Sequence, residues 1–317
     1  MAQRRPVVLI NGALRELPVG DVLPARILGP GLKTPFFESG VWTAPQDGII
    51  VVRAMSAGGS GALTNSTGTA GTGGYSGAWG MKLLRVVKND VVTVTIGAGG
   101  AAVLATGNGN AGGNTTITVQ GVTYTLPGGP AGIYSASGVP NVPDGAALPA
   151  GWDIGAGCVK PGAIASGRTG GAGVDILRLG NNATTSGSSA YSGGGGTGGP
   201  SPGTRGGGAM PNGADATGLL ATNAGANVDA SDGGWLISFY GGSGGGTSNG
   251  GNGGGGAGST SGTGGSGGNG GGGGGGGAAG GPGGLGGGGG ACTSPSVSAR
   301  GGNGYACIEF ITDLGVS

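Results

Sequence analysis

The sequence predicts an all-β protein: a β-sandwich scaffold with an appended polyglycine-II-type helix bundle and long loops, and little or no α-helix. Three observations lead to this class. Glycine accounts for 91 of the 317 residues, roughly four times its ordinary share. Short apolar stretches follow the strand period, and no segment sustains the helical period. The glycine block 241–290 lies between two strong strand signals and contains no charged residue.

Residues 1–40 have the composition of an attachment segment. Pro6–Ile10 is predicted to form a strand, Asn11–Gly12 a type I′ turn and Ala13–Leu17 the returning strand. Four prolines with glycines between them then follow, namely Pro18, Pro24, Pro30 and Pro35. We expect this proline-rich stretch to be an extended chain that lies on another protein.

Residues 41–126 are predicted to form the sandwich. Along Val91–Ile96 the apolar residues alternate with threonine, which is the period of a strand with one buried face. The predicted strands are Val41–Pro45, Ile49–Ser56, Gly80–Val87, Val91–Ile96, Thr115–Val119 and Val122–Leu126. Several short strands at this spacing are typical of a sandwich. Trp42 and Trp235 are assigned to the core.

A strong strand signal, Tyr305–Thr312, follows the glycine block. One face of this strand carries Ala306, Ile308, Phe310 and Thr312. A strand in this position has to return to a sheet, and we expect it to complete the scaffold beside Ile49–Ser56.

Residues 127–303 are predicted to form a glycine-rich tip. The part 127–190 is loop-like, with one strand at Val174–Leu179 and the exposed-looking aromatic residues Tyr134 and Trp152. Glycine runs cover about 192–208 and 241–290, and the strand Trp235–Tyr240 lies between them.

The glycine block has two readings, a flexible linker or an ordered bundle. Collagen is excluded because there is no strict G-X-Y period. Glycine can form an extended threefold helix, and without Cβ atoms such helices can pack side by side through backbone hydrogen bonds. Ordering glycine is entropically unfavourable, so we expect the sheet and an oligomer to hold the bundle. The groups 247–249, 259–261 and 278–279 are expected to be either turns or edge residues between the glycine runs.

Composition excludes several kinds of function. The chain has no histidine, which removes Ser-His-Asp and Cys-His catalysis and histidine-bearing zinc sites. A net charge of +1 gives no electrostatic footprint for nucleic acid. No apolar run is long enough for a membrane span, and no leader or P-loop is visible. The three cysteines are expected to be reduced packing residues.

Asp229 and Asp232 are the one pair that suggests chemistry. They can be interpreted as a carboxylate pair for glycoside hydrolysis or as calcium ligands, but solvated loop aspartates are the favoured interpretation. We therefore expect no catalytic residues, no metal and no cofactor.

Residues 40–61 carry a family resemblance. The run Gly40-Val41-Trp42-Thr43-Ala44-Pro45-Gln46-Asp47-Gly48 leads through a strand into Ala57-Gly58-Gly59-Ser60-Gly61. This pattern resembles the opening of the glycine-rich domain of bacteriophage tail-fibre proteins, and Gly73–Gly77, Val91–Gly100 and Gly112–Thr116 continue it. Residues 191–303 are similar in style to the adhesin at the tip of T-even-type long tail fibres.

The resemblance implies a non-enzymatic receptor-binding protein of the virion, made in the host cytoplasm without a signal peptide. Its implied partners are phage baseplate or tail proteins and a bacterial surface receptor, which would be a protein, pilus or polysaccharide. A homotrimer is inferred from the resemblance alone. Two alternatives stay open, a fibre that depolymerises surface polysaccharide and a glycine-rich structural or surface protein.

Candidate contact residues follow from this interpretation. Candidates for baseplate attachment are the apolar residues of the first segment, Val8, Ile10, Leu14, Leu17 and Leu23. Candidates for receptor binding are aromatic or charged residues in loops near the glycine runs, Tyr134, Trp152, Tyr191, Arg205, Asp215, Asp229 and Asp232. Aromatic faces suit sugar rings, and Asp and Arg suit hydroxyl or phosphate groups.

Overall fold

The computed structural model describes residues 7–10, 13–16, 32–65, 69–161, 167–174, 262–293 and 297–312. Its strands are β1 (Val7–Ile10), β2 (Ala13–Glu16), β3 (Leu32–Phe36), β4 (Gly40–Thr43), β5 (Gly48–Met55), β6 (Leu63–Thr64), β7 (Ala70–Gly71), β8 (Trp79–Val86), β9 (Val91–Thr95), β10 (Thr115–Val119), β11 (Val122–Leu126), β12 (Tyr134–Ser135), β13 (Ile154–Ala156), β14 (Gly167–Arg168), β15 (Cys292–Thr293) and β16 (Tyr305–Thr312). The described residues contain no helix, which confirms the all-β class.

Two antiparallel sheets form the sandwich. One sheet has the strand order β11-β10-β9-β4, and the other has the order β13-β8-β5-β16-β3. The closing strand β16 pairs with β5 over its whole length, with Ile308 opposite Val52. The predicted position of this strand beside Ile49–Ser56 is therefore confirmed.

The core lies between the two sheets. Alternate residues of each strand point inward, and Trp42 and Phe310 meet across the core with ring centroids 5.7 Å apart. Other fully buried side chains here are Ile50, Val52, Val86, Val92, Val94, Ile117, Leu126 and Ile308. Such interdigitation of two inner faces is the usual core of a sandwich. The assignment of Trp42 to the core is confirmed, and Trp235 lies outside the described residues.

A tight turn at Gln120–Gly121 joins β10 to β11. Val119 pairs with Val122, so the loop has two residues. Both have positive φ, 50° at Gln120 and 77° at Gly121. This is the type I′ geometry that matches the twist of a hairpin.

The first forty residues divide between two structures. Strands β1 and β2 pair antiparallel, with Ile10 opposite Ala13, which confirms the predicted hairpin. Strand β3, however, is the edge of the five-stranded sheet and pairs with β16. The expectation that residues 1–40 all belong to the attachment segment is wrong for 32–40. Pro35 fits there because an edge strand does not need every N–H group.

The sandwich strands continue beyond the sandwich into glycine-rich segments. The segments 57–63 and 97–103 follow β5 and β9, and 127–133 follows β11. Three more segments, 72–78, 107–114 and 297–304, lead into β8, β10 and β16. We call these six, together with 169–174 and 262–293, the glycine lattice.

Segment 57–63 shows how the glycine lattice is bonded. Its backbone N–H groups donate in turn to three neighbours, and each neighbour is used every third residue. Ala57, Ser60 and Leu63 donate to segment 107–114, for example Ser60 N to Asn110 O at 2.9 Å. Gly58 and Gly61 donate to segment 297–304, and Gly59 and Ala62 to segment 72–78. A period of three is that of the polyglycine II helix.

The carbonyl groups of the same segment accept from other neighbours. Gly129 donates to Ala57, Gly100 to Gly58 and Gly289 to Gly59. The segment is therefore bonded on all sides to extended segments that continue both sheets. The layers of the sandwich are held apart by side chains at about 10 Å. In the glycine lattice the same layers are joined directly by backbone hydrogen bonds.

Residues 262–293 add further extended segments, joined by chain reversals, to the lattice. The N–H groups of residues 264, 267, 270, 273 and 276 donate to the carbonyls of residues 279, 282, 285, 288 and 291. The chain reverses at Gly268–Gly271 and Gly284–Gly287, where the last N–H of each turn bonds the first carbonyl. Gly270 and Gly286 have positive φ at the third turn position, as a type II turn requires. The reversal at Ala278–Ala279 makes this group a turn, and the groups 247–249 and 259–261 lie outside the described residues.

Close backbone approach explains why these segments are glycine. A Cβ atom on Gly58 would overlap the carbonyl of Gly287, and one on Gly61 would overlap the carbonyl of Gly290. Glycine positions of this kind occur on both sides of residue 127, so the expected boundary at 127 does not separate scaffold from lattice. The two are interleaved along the chain.

Candidate functional site

The end of the glycine lattice away from the sandwich carries the loops that connect its segments. We call this the remote end. It is marked by short paired strands: β6 pairs with β15, and β7 pairs with β12 and β14. Each connection leaves one ordered segment and enters another. Loop 103–107 joins the segments that continue β9 and β10, and residues 64, 65 and 69 lie at the same end, between the segments that continue β5 and β8.

Exposed apolar side chains lie in these loops. Leu104 is 80% exposed, Val139 is 60% exposed and Val297 is 40% exposed. Two hydrogen bonds join the loops that carry Leu104 and Val297. The N–H of Ser298 donates to the carbonyl of Val103 at 3.1 Å, and the N–H of Val103 donates to the hydroxyl of Ser298 at 2.9 Å. Leu104 and Val297 are therefore exposed on two loops that are hydrogen-bonded to each other.

Tyr134, predicted as a contact residue, lies at the remote end. It belongs to β12, where it pairs with Gly71. Its backbone N–H donates to the carboxamide oxygen of Asn108 at 2.8 Å. The side chain is half-buried, so only part of the ring is open to a partner.

Trp152 does not lie with these residues, and the expectation that it is exposed is wrong. It is 8% exposed and belongs to the sandwich core. Its indole N–H donates to the carbonyl of Thr125 at 3.2 Å, and its ring meets Tyr124 edge-on. The following Asp153 anchors this segment, since hydrogen bonds from the Leu83 backbone and from Lys82 lower the pKa of its carboxyl.

The other predicted receptor contacts, Tyr191, Arg205, Asp215, Asp229 and Asp232, lie outside the described residues. So do two of the predicted attachment residues, Leu17 and Leu23. The remaining three, Val8, Ile10 and Leu14, lie in the β1–β2 hairpin.

Sequence reasoning missed Leu104, Val139 and Val297 because candidates were sought among aromatic and charged residues. A usable signal was present. Leu104 lies between two stretches that return to neighbouring strands, where an apolar side chain has no core to enter. The stretches 63–70, 103–108 and 133–140 contain no charged residue. Contacts made by them would depend on apolar and hydrogen-bonding groups.

The segment between the remote end and Trp152 runs back along the lattice. The hydroxyl of Tyr75 donates to the carbonyl of Pro143 at 2.6 Å, and burial raises the pKa of Tyr75 to about 12. Lys160 pairs with Asp144, and this pairing lowers the pKa of that carboxyl. Burial raises the pKa of the Cys158 thiol to about 11, so this cysteine is a packing group and not a nucleophile.

Across the described ranges, no three His, Cys, Asp or Glu side chains are grouped so as to hold a metal ion. Cys158, Cys292 and Cys307 are buried thiols that form no disulfide. No helix in the described part of the chain is long and apolar enough to span a bilayer.

Comparison of the sequence with protein-family models and with curated proteins finds no match.

Proposed function

We propose that this chain is a bacteriophage tail-fibre protein that attaches to the tail or baseplate and binds a receptor on the bacterial surface, without enzymatic activity. In this proposal the β1–β2 hairpin belongs to the attachment segment, and the remote end faces the host. A homotrimer is part of the same proposal and rests on the family resemblance.

The observation that carries the proposal is the construction of the remote end. Its loops start and finish in segments that are held together mainly by backbone hydrogen bonds, with a few side-chain bonds such as those of Asn108 and Ser298 at the bases of the loops. The sequence of such a loop can change without disturbing the packing beneath it. Recognition residues are commonly found on loops that a rigid scaffold positions. This arrangement suits a receptor-binding protein whose contact loops change with its host.

A binding experiment tests the proposal. The full chain is labelled with a fluorophore and mixed with a panel of Gram-negative and Gram-positive strains, and bound label is measured by flow cytometry. We expect saturable binding to some strains, displaced by unlabelled protein, with no reducing ends released from isolated surface polysaccharide. Absence of binding to every strain would contradict the proposal, and release of reducing ends would favour the depolymerase.

A single substitution tests the role of the remote end. Leu104→Glu places a charge where an apolar side chain is 80% exposed. Loss of one apolar contact of this size in an interface corresponds to about 1.5–3 kcal/mol, or roughly a ten- to hundredfold weaker affinity. We expect weaker binding to cells in the same assay and an unchanged melting temperature.

Leu83→Glu is the matched control for this substitution. Leu83 is 49% exposed on the outer face of β8, on the sandwich. Equal losses of binding in the two variants would show that added charge, and not the position of Leu104, is responsible.

A further inference from the structure

A polar cavity lies where the glycine lattice meets the sandwich. Its volume is about 200 Å³, and its lining includes Asn269, Leu285, Arg300 and Asn303 together with glycine backbone. Asn269 and Leu285 occupy the second positions of the two type II turns described above, so both side chains are presented at the tips of reversals. Leu285 also packs against the sandwich cluster that contains Met55 and Trp79. The cavity is thus next to the sheet and away from the remote end.

The cavity lies along the open face of segment 297–304. Residues 298, 301 and 304 of this segment donate to segment 97–103, and residues 299 and 302 donate to residues 290 and 287. By the same period of three, Arg300 and Asn303 form the remaining face. Among the described residues, no carbonyl accepts a hydrogen bond from the N–H of Arg300 or Asn303. Two backbone donors are therefore left available on the cavity side of the lattice.

The side chains of the same two residues add further donors. The carboxamide oxygen of Asn303 accepts from the N–H of Gly99 at 2.9 Å, so its NH₂ group is the part left to donate. Arg300 is exposed, and no described carboxylate forms an ion pair with it. A guanidinium group binds a carboxylate through two parallel hydrogen bonds. The lining contains no acidic side chain that would compete for it.

The cavity also has acceptor and apolar groups. The carbonyl of Gly283, which is part of the lining, accepts no backbone hydrogen bond from the described residues. A carbonyl group that accepts no backbone hydrogen bond can accept one from a hydroxyl group of a ligand. Leu285 provides an apolar surface beside it. A ligand that satisfies all these groups needs an anionic carboxylate, several hydroxyls and one apolar face in a small volume.

We propose that this cavity binds a single sugar residue that carries a carboxylate. The carboxylate pairs with the guanidinium of Arg300, and the N–H groups of Arg300 and Asn303 donate to the carboxylate and hydroxyl oxygens. A ring hydroxyl bonds to the carbonyl of Gly283. The binding of such a sugar is inferred from the groups that line the cavity. The further statement that the sugar belongs to the bacterial surface, so that the cavity is a second contact with the host, rests on the proposed function.

Titration with simple sugars tests the assignment. The full chain is titrated with D-glucuronate, D-glucose, acetate and inorganic phosphate, and binding is measured by calorimetry. We expect saturable binding of glucuronate, at least about tenfold tighter than glucose, acetate or phosphate. Hydrogen bonds to a charged group contribute about 1.5–3 kcal/mol, so Arg300→Gln should weaken glucuronate binding roughly ten- to hundredfold. Arg300→Lys should recover part of this loss.

Lys88→Gln is the matched control. Lys88 is exposed in the turn between β8 and β9 on the sandwich, and we expect it to leave glucuronate binding unchanged. Equal affinities for glucuronate and glucose, equal affinities for glucuronate and acetate or phosphate, or an Arg300→Gln variant that binds as the parent does, would each overturn the assignment. Because the calorimetric titration uses no cells, a failure of the receptor proposal would leave the assignment of the cavity unaffected.

Discussion

Replacing Gly61 by alanine is expected to destabilise the folded chain severely. Gly61 lies in the segment that follows β5, and an added Cβ atom would overlap the carbonyl of Gly290 and approach the backbone of Ala291. Neither neighbour is a flexible side chain, so the segments themselves have to move apart. Hydrogen bonds to the surrounding segments would then be lost together. We expect a loss of more than about 4 kcal/mol, a size that is diagnostic of such overpacking, against total stabilities of about 5–15 kcal/mol.

Gly138→Ala is the control for this prediction. A Cβ atom on Gly138 has no neighbour within 4 Å, although its φ of 73° is unfavourable for alanine. We expect a loss of about 1–2 kcal/mol. Both variants are compared by thermal and urea denaturation. Similar stabilities for Gly61→Ala and Gly138→Ala would mean that the lattice segments are not in close contact.

The second large effect is expected in the sandwich core. Ile308 is fully buried between the two sheets, so Ile308→Ala removes apolar atoms and leaves a cavity. Substitutions of this type cost about 2–5 kcal/mol. Because the lattice segments continue the sandwich strands, we expect the sandwich and the lattice to unfold in one transition. Urea denaturation followed by tryptophan fluorescence measures the loss.

Ile311→Ala, in the same strand, is the matched control. Ile311 is 37% exposed on the outer face of β16, and we expect its loss to be below about 1 kcal/mol. Equal losses at the two positions would contradict the assignment of inner and outer faces. A large separate transition in the Ile308→Ala variant would contradict the coupling of sandwich and lattice.

The sandwich could be predicted from the sequence because each strand carries its own signal. Alternation along Val91–Ile96 identifies a buried face, and the two-residue turn at Gln120–Gly121 identifies a hairpin. The pairing of β16 with β5 followed from the need for the last strong strand to join a sheet. The pairing of β3 was missed because Pro35 and the surrounding prolines indicated an extended tail.

The sequence predicts that the glycine-rich segments pack as a bundle, but it does not predict which segments are hydrogen-bonded to each other. Glycine has no side chain to record which neighbour it contacts, so nothing in Gly58 indicates that it bonds to Gly302. For the same reason the contribution of segments before residue 127 was missed. Trp152 was misplaced because a lone aromatic residue in a glycine-rich stretch gives no periodicity from which burial can be inferred.

The glycine-rich segments continue the sandwich strands, and hydrogen bonds with a period of three order them. Amide hydrogen exchange of the full chain, resolved by mass spectrometry of peptides that cover 57–63 and 262–293, tests this ordering most directly. Exchange from globally stabilised structure requires the whole unit to open. We expect these peptides to exchange as slowly as the peptide that covers β5. Exchange at the rate of an unstructured chain, with β5 still protected, would contradict this ordering.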